Sequence, residues 1–458
     1  MSKKIDPMPE DKLKTLYEDA ERYLLKPWLT RGTPEAEPLI VGGERARFRD
    51  ATGREYLDFL SQLFNVNLGI KHRKVVDAVK EQVERVNYTK NTFLNEPKVK
   101  LAKRLAEITH PDLTKTFFSN SGTEANEAAF KIARAYTGHI KIISFWGAYH
   151  GSTYASMTAG GVASNRNPYE PLVPGFYHVP APYCYRCPFG LKRPVCGLRC
   201  AQFLEDTIKF QGPDSVAAFI ADPVVVAAGV LIPPKEYWPT VREICDRHDI
   251  LLIFDEVIAG CGRTGRLFAY DHWGIAPDIL TLAKGISNAC VPLGATIMHR
   301  KISDHFKETK NFPHGFTYSG HALACAAGLA AINAYIDEKI PENAAKVGAY
   351  FLEALKGIQD RHRSVGDVRG LGLIEGVEFV GDKETKEPLV SLDPKAPPEE
   401  RPIMALSDGC LKEGLLIMPA MSGSTIRMAP PLIITEDDVD EATEILERQI
   451  TAVEKKFL

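Results

Sequence analysis

A chain of 458 residues is too long for one simple core, and at about 150 residues per domain it predicts two or three. Its 45% hydrophobic and 25% charged residues are those of an ordinary soluble globular protein, and a net charge of −3 gives no electrostatic case for nucleic acid or an anionic membrane. The longest apolar stretch, around 216–232, is broken by Asp222 and Pro223, and the N-terminal stretch has charges throughout where a signal peptide needs an apolar segment; a cytoplasmic protein without membrane spans is expected.

Leu13, Leu16, Tyr17, Ala20 and Leu24 follow helical spacing and predict an amphipathic helix. From about 115 to 300, short apolar runs alternate with helical patterns, as a mostly parallel α/β sheet requires. The candidate strands are 115–119, 141–147, 217–222, 250–256 and 294–299, with a helix at 236–249 between two of them. After a small-residue helix at 322–336, a charged amphipathic helix is expected at 341–360 and a new strand, entered through a glycine turn, at 369–380. Residues 381–402 read as a polar, proline-rich surface loop. Thr435 and Asp438 then open a last helix with Val439, Ala442, Leu446 and Val453 on one face. The expected organisation is a large domain over 61–325, flanked by a smaller one built from 1–60 and 326–458.

Nine cysteines, an odd number without an export signal, argue against a disulfide framework. Cys184, Cys187, Cys196 and Cys200 form C-x2-C-x8-C-x3-C, a spacing that can hold zinc. The segment contains no histidine and is rich in Pro, Gly and Arg, so packed, reduced thiols and no metal are expected.

Three features carry chemistry. "ILLIFDEVIAGCGRTG" (250–265) ends a fully apolar strand on Asp255 and Glu256, which is costly unless a positive group waits there. "FSNSGTEANEAAFKIARAYTG" (118–138) runs a strand end through a small-residue turn into a firm helix. Ser121, Gly122 and Thr123 in its first turn make an anion site suited to phosphate. "ILTLAKGISN" (279–288) holds Lys284 in an otherwise uncharged segment, where its amine can be a nucleophile. Together these are the needs of pyridoxal 5′-phosphate: a lysine for the Schiff base, a helix end for the phosphate, and an acid, Asp255, to keep the pyridine nitrogen protonated.

The stretches "SNSGTEANEAAFKIAR", "GAYHGST", "IFDEVIAGCGRTG", "PDILTLAKGIS", "HGFTYSGHALACAAGLA", "VRGLGLIEGVE" and "IRMAPPLIIT" occur in order over nearly the whole chain. The sequence resembles the class III aminotransferases of the type I pyridoxal-phosphate fold, an α/β fold with a large and a small domain. The resemblance implies that Lys284 is the Schiff-base lysine and Asp255 the pyridinium partner. Val257 packs behind the ring, and Tyr149 stacks on its front. Gly122 and Thr123 hold the phosphate, joined by Thr317, with Phe316 beside it, from the neighbouring subunit of a homodimer. Arg427 receives a substrate carboxylate, and its proposed partner when idle is Asp222, a pair that the shorter aspartate leaves long, water-bridged or absent; Phe64 completes the substrate site. Asp222 stands where many members carry glutamate. The "NVNLGIKH" and "CYRCPFGL" stretches look most like the ω-amino-acid or amine:pyruvate branch, taurine:pyruvate enzymes included. The alternative is a lyase on the same scaffold, acting on a phosphorylated, phosphonate- or sulfonate-bearing amine. Arg263 and Glu256 are read as structural.

Overall fold

The computed structural model describes residues 7–28, 37–390 and 397–458. Its first element, the helix Glu10–Tyr23, forms where the spacing predicts but buries no side chain. Strands β1 (Ile40–Glu44), β2 (Arg47–Asp50) and β3 (Glu55–Asp58) make an antiparallel ladder.

The large sheet holds β4 (Leu113–Ser119), β5 (Lys141–Phe145), β6 (Phe176–Val179), β7 (Val216–Ala221), β8 (Leu251–Asp255), β9 (Ile279–Leu282) and β10 (Gly294–His299). Its order is β4-β10-β9-β8-β7-β5-β6. Strands β5 to β9 pair in parallel, and β10 runs against both β9 and β4. Every residue of β7, β8 and β9 is buried, as a parallel sheet covered on both faces demands. All five runs read from the sequence are strands. The two unread ones, β6 and β9, are four residues each, too short for an apolar run to stand out. Because the parallel strands share one polarity, the residues after β5, β7, β8 and β9 meet along one edge, where α/β sheets bind ligands.

Helices pack on this sheet. Gly122–Thr137 buries Ala125, Ala128, Ala129, Ile132 and Ala133 and stops at Gly138, whose φ of +73° suits a left-handed cap. Tyr237–Arg247 joins β7 to β8.

After the helices Ala322–Asp337 and Ile340–Arg361 come β11 (Val365–Gly370) and β12 (Glu375–Phe379), then β13 (Leu415–Leu416), β14 (Met418–Pro419) and β15 (Thr425–Met428). The stretch 369–380, expected as one strand, is thus the close of a hairpin. Gly372, at φ +64°, turns the chain between β11 and β12. The turn lies so close to the helix Ile340–Arg361 that a Cβ on Gly348 would sit 1.7 Å from the Gly372 carbonyl oxygen. Of the expected loop at 381–402, residues 391–396 lie outside the described residues. Strand β13 pairs with β3, Leu415 opposite Leu57, so one small sheet draws on both ends of the chain. The last helix, Glu436–Phe457, opens with the expected reciprocal cap between Thr435 and Asp438. Among the described residues no helix is long and apolar enough to cross a membrane.

Candidate active site

The anion end is built by the turn after β4. Ser121 caps the helix, its Oγ accepting from the Glu124 N–H at 3.3 Å. Glu124 in turn accepts from the Asn120 N–H and side-chain amide, both at 2.7 Å. The first-turn N–H groups of Gly122 and Thr123 are those a helix leaves free. A Cβ on Gly122 would lie 3.0 Å from Val257 Cγ1, so only glycine lets the backbone come this close. The Thr123 hydroxyl is 2.7 Å from that of Thr153.

The floor is Asp255, the last residue of β8 and only 3% exposed. Its Oδ2 accepts from Asn126 Nδ2 at 2.7 Å and lies 2.8 Å from His150 Nδ1, and its Oδ1 accepts from the Val257 N–H at 3.0 Å. Thr281 on β9 fixes Asn126 by donating to its Oδ1 at 2.8 Å. Burial disfavours a charged His150, but the Asp222 charge and the hydrogen bond to Asp255 outweigh it and raise its pKa. This imidazole is the nearest basic group to the strand end. Glu256 faces away and accepts from the Ala269 and Tyr270 N–H groups at 2.7 and 2.9 Å, as a structural residue; burial pushes its carboxyl up to about 8.

Lys284 follows β9 directly, with φ +51°. Burial brings its amine down to about 8 against the pull of Asp255 and Asp222, and the Arg427 charge assists. Its Nζ lies 5.6 Å from the centre of the Phe64 ring, and the Arg427 guanidinium carbon lies 5.2 Å from the same ring. Phe64 is offered by a strained loop in which Ser61, Gln62 and Phe64 all have φ between +48° and +59°. The buried Asp58 holds that loop, accepting from the Leu60 N–H at 3.0 Å, the Gln62 N–H at 2.9 Å and Gln62 Nε2 at 2.8 Å. Arg263 anchors it too, donating to Ser61 Oγ at 2.9 Å and Asn67 Oδ1 at 2.8 Å, the structural role expected of it.

Ser121, Gly122, Thr123, Tyr149, Asp222, Asp255, Val257 and Lys284 line one cavity of about 420 Å³. The Tyr149 hydroxyl lies 3.0 Å from Ser152 Oγ. Phe64 and Arg427 flank Lys284, while Phe316 and Thr317 stand apart from the cavity. Thr317 is exposed and its carbonyl accepts from the Tyr88 hydroxyl at 2.9 Å; the Phe316 carbonyl accepts from Asn91 at 2.9 Å. Among the described residues Arg427 has no carboxylate oxygen within 4.0 Å, so the Asp222–Arg427 pair is not formed. Aspartate is one methylene shorter than glutamate, and Asp222 stays beside His150. Arg427 instead donates to the Pro419 carbonyl at 2.8 Å. Asn126, His150 and Thr281, which hold Asp255, have no role in the sequence reading.

The family described as aminotransferase class-III matches residues 33–450. This chain belongs to the class III aminotransferases. It is similar to a taurine–pyruvate aminotransferase of Bilophila wadsworthia, at 36% identity over 92% of this chain and 94% of that one. It is likewise 37% identical to a leucine/methionine racemase of Thermococcus litoralis, over 91% of this chain and 92% of that one. The structure of a taurine:2-oxoglutarate aminotransferase from Bifidobacterium kashiwanohense, in complex with pyridoxal phosphate and glutamate, matches with a TM-score of 0.90 and 32% identity. That match covers 99% of this chain and 100% of that one.

The family's cofactor is pyridoxal phosphate, and the aminotransferase's cavity fits it. The glycine cradle and helix end suit the phosphate, the fixed Asp255 suits a pyridinium, and Lys284 has an amine made nucleophilic by burial. Among the described residues the one group of three metal-capable side chains within 4.8 Å of one another is His150, Asp222 and Asp255, inside this same cavity.

Proposed function

We propose that this aminotransferase moves an amino group from an ω-amino acid or amine to pyruvate, as a cytoplasmic homodimer with its active sites at the subunit interface. The observation that carries the reading is that Lys284 Nζ and the Arg427 guanidinium carbon both lie near the Phe64 ring, 5.6 and 5.2 Å from its centre, a proton carrier and a cation at one aromatic side chain. The cofactor supplies an electron sink and stores the amino group between the two half-reactions. Lys284 holds the cofactor and then, with Nζ free, takes a proton from the substrate carbon and returns it one position away. Asp255 keeps the ring nitrogen protonated and cannot drift, because three groups hold its two oxygens. Arg427 takes the keto acid's carboxylate, and the similarity to a taurine–pyruvate enzyme favours pyruvate and an ω-amino donor.

A second copy is favoured by the exposed stretch around Phe93, Leu94, Thr317 and Tyr318, apolar surface beside a hydroxyl with nothing to do in its own subunit. The test of the reaction is a panel of amines and ω-amino acids with pyruvate or 2-oxoglutarate. Alanine formed in equal amount to the oxidised donor supports the reading; inversion of an amino acid without any keto acid would replace it with racemisation.

A further inference from the structure

Residues 316–319 form a turn, closed by the Ser319 N–H on the Phe316 carbonyl and the Phe316 N–H on Ser319 Oγ, each at 3.1 Å. Its carbonyls are engaged by one other stretch of the same subunit. Tyr88 Oη donates to the Thr317 carbonyl at 2.9 Å and Asn91 Nδ2 to the Phe316 carbonyl at 2.9 Å. Just beyond the turn, Asn95 Nδ2 donates to the Gly320 carbonyl at 3.1 Å. That stretch is itself fixed. Asn95 caps the helix Glu96–Ile108, accepting from the Lys98 N–H at 3.0 Å, and Lys98 Nζ donates to the Asn91 carbonyl at 2.9 Å. Gly320, at φ +67°, makes room for the Lys98 side chain, which a Cβ there would meet at 2.6 Å. The Tyr88 ring packs on Tyr318 and His321, with centres 5.7 and 5.6 Å away. The donors are left over. Among the described residues the Thr317 hydroxyl and the N–H groups of Thr317 and Tyr318 have no partner, and both residues are exposed.

We propose that Tyr88 and Asn91 are positioning residues for the cofactor phosphate of the neighbouring subunit: they hold the carbonyls of the 316–319 turn inward, so that its free donors form a ready-made cap for an anion. This rests on the homodimer reading and names the residues that shape what one copy offers the other. Successive free N–H groups beside a hydroxyl suit phosphate oxygens, whereas a carbonyl oxygen in the same place would repel them. The two side chains settle which of these the turn presents. A turn fixed beforehand does not have to be ordered when the cofactor binds. Neither Tyr88 nor Asn91 has to touch the phosphate, since each acts through a carbonyl that it holds.

Binding of pyridoxal 5′-phosphate and of pyridoxal, which lacks the phosphate, tests this without turnover, with the visible absorbance of the attached ring as the readout. Tyr88→Phe and Asn91→Ala should each weaken pyridoxal phosphate about 2- to 10-fold, the value of one neutral hydrogen bond. Pyridoxal affinity should stay that of the wild type. Equal losses for both ligands would mean that the side chains merely support the fold, and would overturn the proposal. Tyr88→Phe added to Thr317→Ala should cost less than the product of the two single losses, because both act on one turn. Fully multiplicative losses would also overturn it. Mixed dimers then locate the effect. Where one chain carries Lys284→Ala, only the other chain's site attaches the cofactor. Tyr88→Phe on the Lys284→Ala chain should weaken that site, because this chain supplies the turn; Tyr88→Phe on the attaching chain should not. The reverse pattern in a dimer would end the proposal alone. A wild-type holoenzyme that sediments as a monomer would end the homodimer reading and the proposal with it.

Discussion

Asp255 ends β8 and Asp222 follows the neighbouring β7 at the same sheet edge, yet their carboxylates are treated in opposite ways. Asp255 has both oxygens engaged, by Asn126, His150 and the Val257 N–H. Asp222 keeps Oδ2 without a partner, and burial pushes its carboxyl up to about 7. The same contrast separates the other site residues: the anion turn is capped and packed, while Arg427 keeps a buried Nε unpaired. A buried polar atom without a partner costs about 1–3 kcal/mol. A fold keeps that cost where a partner arrives from outside. Asp255, fully engaged at the floor, suits a resident cofactor; Arg427, in the wall with a polar atom left over, suits a group that arrives with the substrate.

The comparison breaks most completely if the floor loses its lysine. Lys284→Ala should abolish covalent attachment of the cofactor and cut turnover by at least about 10²–10⁴-fold, the range of a lost general acid–base group. Borohydride treatment followed by peptide mapping should find the cofactor fixed at Lys284 in the wild type and nowhere in the variant. Wild-type turnover in Lys284→Ala would remove Lys284 from the mechanism. Asp255→Asn comes next. It should retain the fold and much of the cofactor but lose about 10²–10³-fold in rate, as for other groups that stabilise developing charge in a buried site. Near-normal rates with cofactor bound would show that the ring nitrogen needs no anion.

How far this contrast can be read from sequence depends on distance along the chain. Lys284, Asp255 and the Ser121–Thr123 turn were legible because each sits in a local pattern: an isolated charge after apolar residues, a strand ending on an acid, a small-residue helix start. Asn126 was hidden. Its helical neighbours show only an alanine face, and its role depends on Thr281, 155 positions away. Strand β9 escaped notice because four residues carry little periodicity, and the β11–β12 hairpin because its glycines read as an entry turn. Asp222 was read at its strand end with its pairing to Arg427 left open, since one methylene of reach decides it, and the structure leaves Asp222 beside His150. The division at residues 61 and 325 rests on patterning, although β13 pairing with β3 brings the two chain ends together as a shared small domain requires.

Acidity sharpens the same comparison in the cofactor-free protein. Lys284 titrates near 8, down from an ordinary value of 10.5. Its neutral form attacks the aldehyde, so the rate of cofactor capture should fall tenfold per pH unit below about 8 and level off above it. The sign for stability follows from proton counting: between about 8 and 10.5 the unfolded lysine holds a proton that the folded one has lost. The contribution of Lys284 to stability therefore rises with pH across that window and is flat below it. A capture rate that kept climbing to pH 10 would show that burial does not depress this amine.

A weaker effect is expected at Thr317, which belongs to neither floor nor wall of its own subunit. If its hydroxyl reaches the phosphate in a partner copy, Thr317→Ala removes one hydrogen bond to a charged group, worth about 1.5–3 kcal/mol. Cofactor affinity should fall by at least about tenfold while the sedimentation behaviour stays that of the wild type. Unchanged affinity would limit Thr317 to packing at the interface.

The smallest effect is expected at Cys184, Cys187, Cys196 and Cys200. They line a separate cavity of about 290 Å³ and differ from the wall in carrying no formal charge as thiols. Burial pushes the Cys200 thiol up to about 11. Zinc requires four sulfurs at about 2.3 Å from one centre, which puts them about 3.8 Å from one another. Among the described residues no three of these thiols come within 4.8 Å of one another. Replacing Cys184 and Cys187 by serine should therefore leave turnover and thermal stability unchanged, with no zinc in the wild type to lose. One zinc per chain by elemental analysis, absent from the double variant, would show that the thiols close around a metal and that unpartnered groups in this protein do not all wait for substrates.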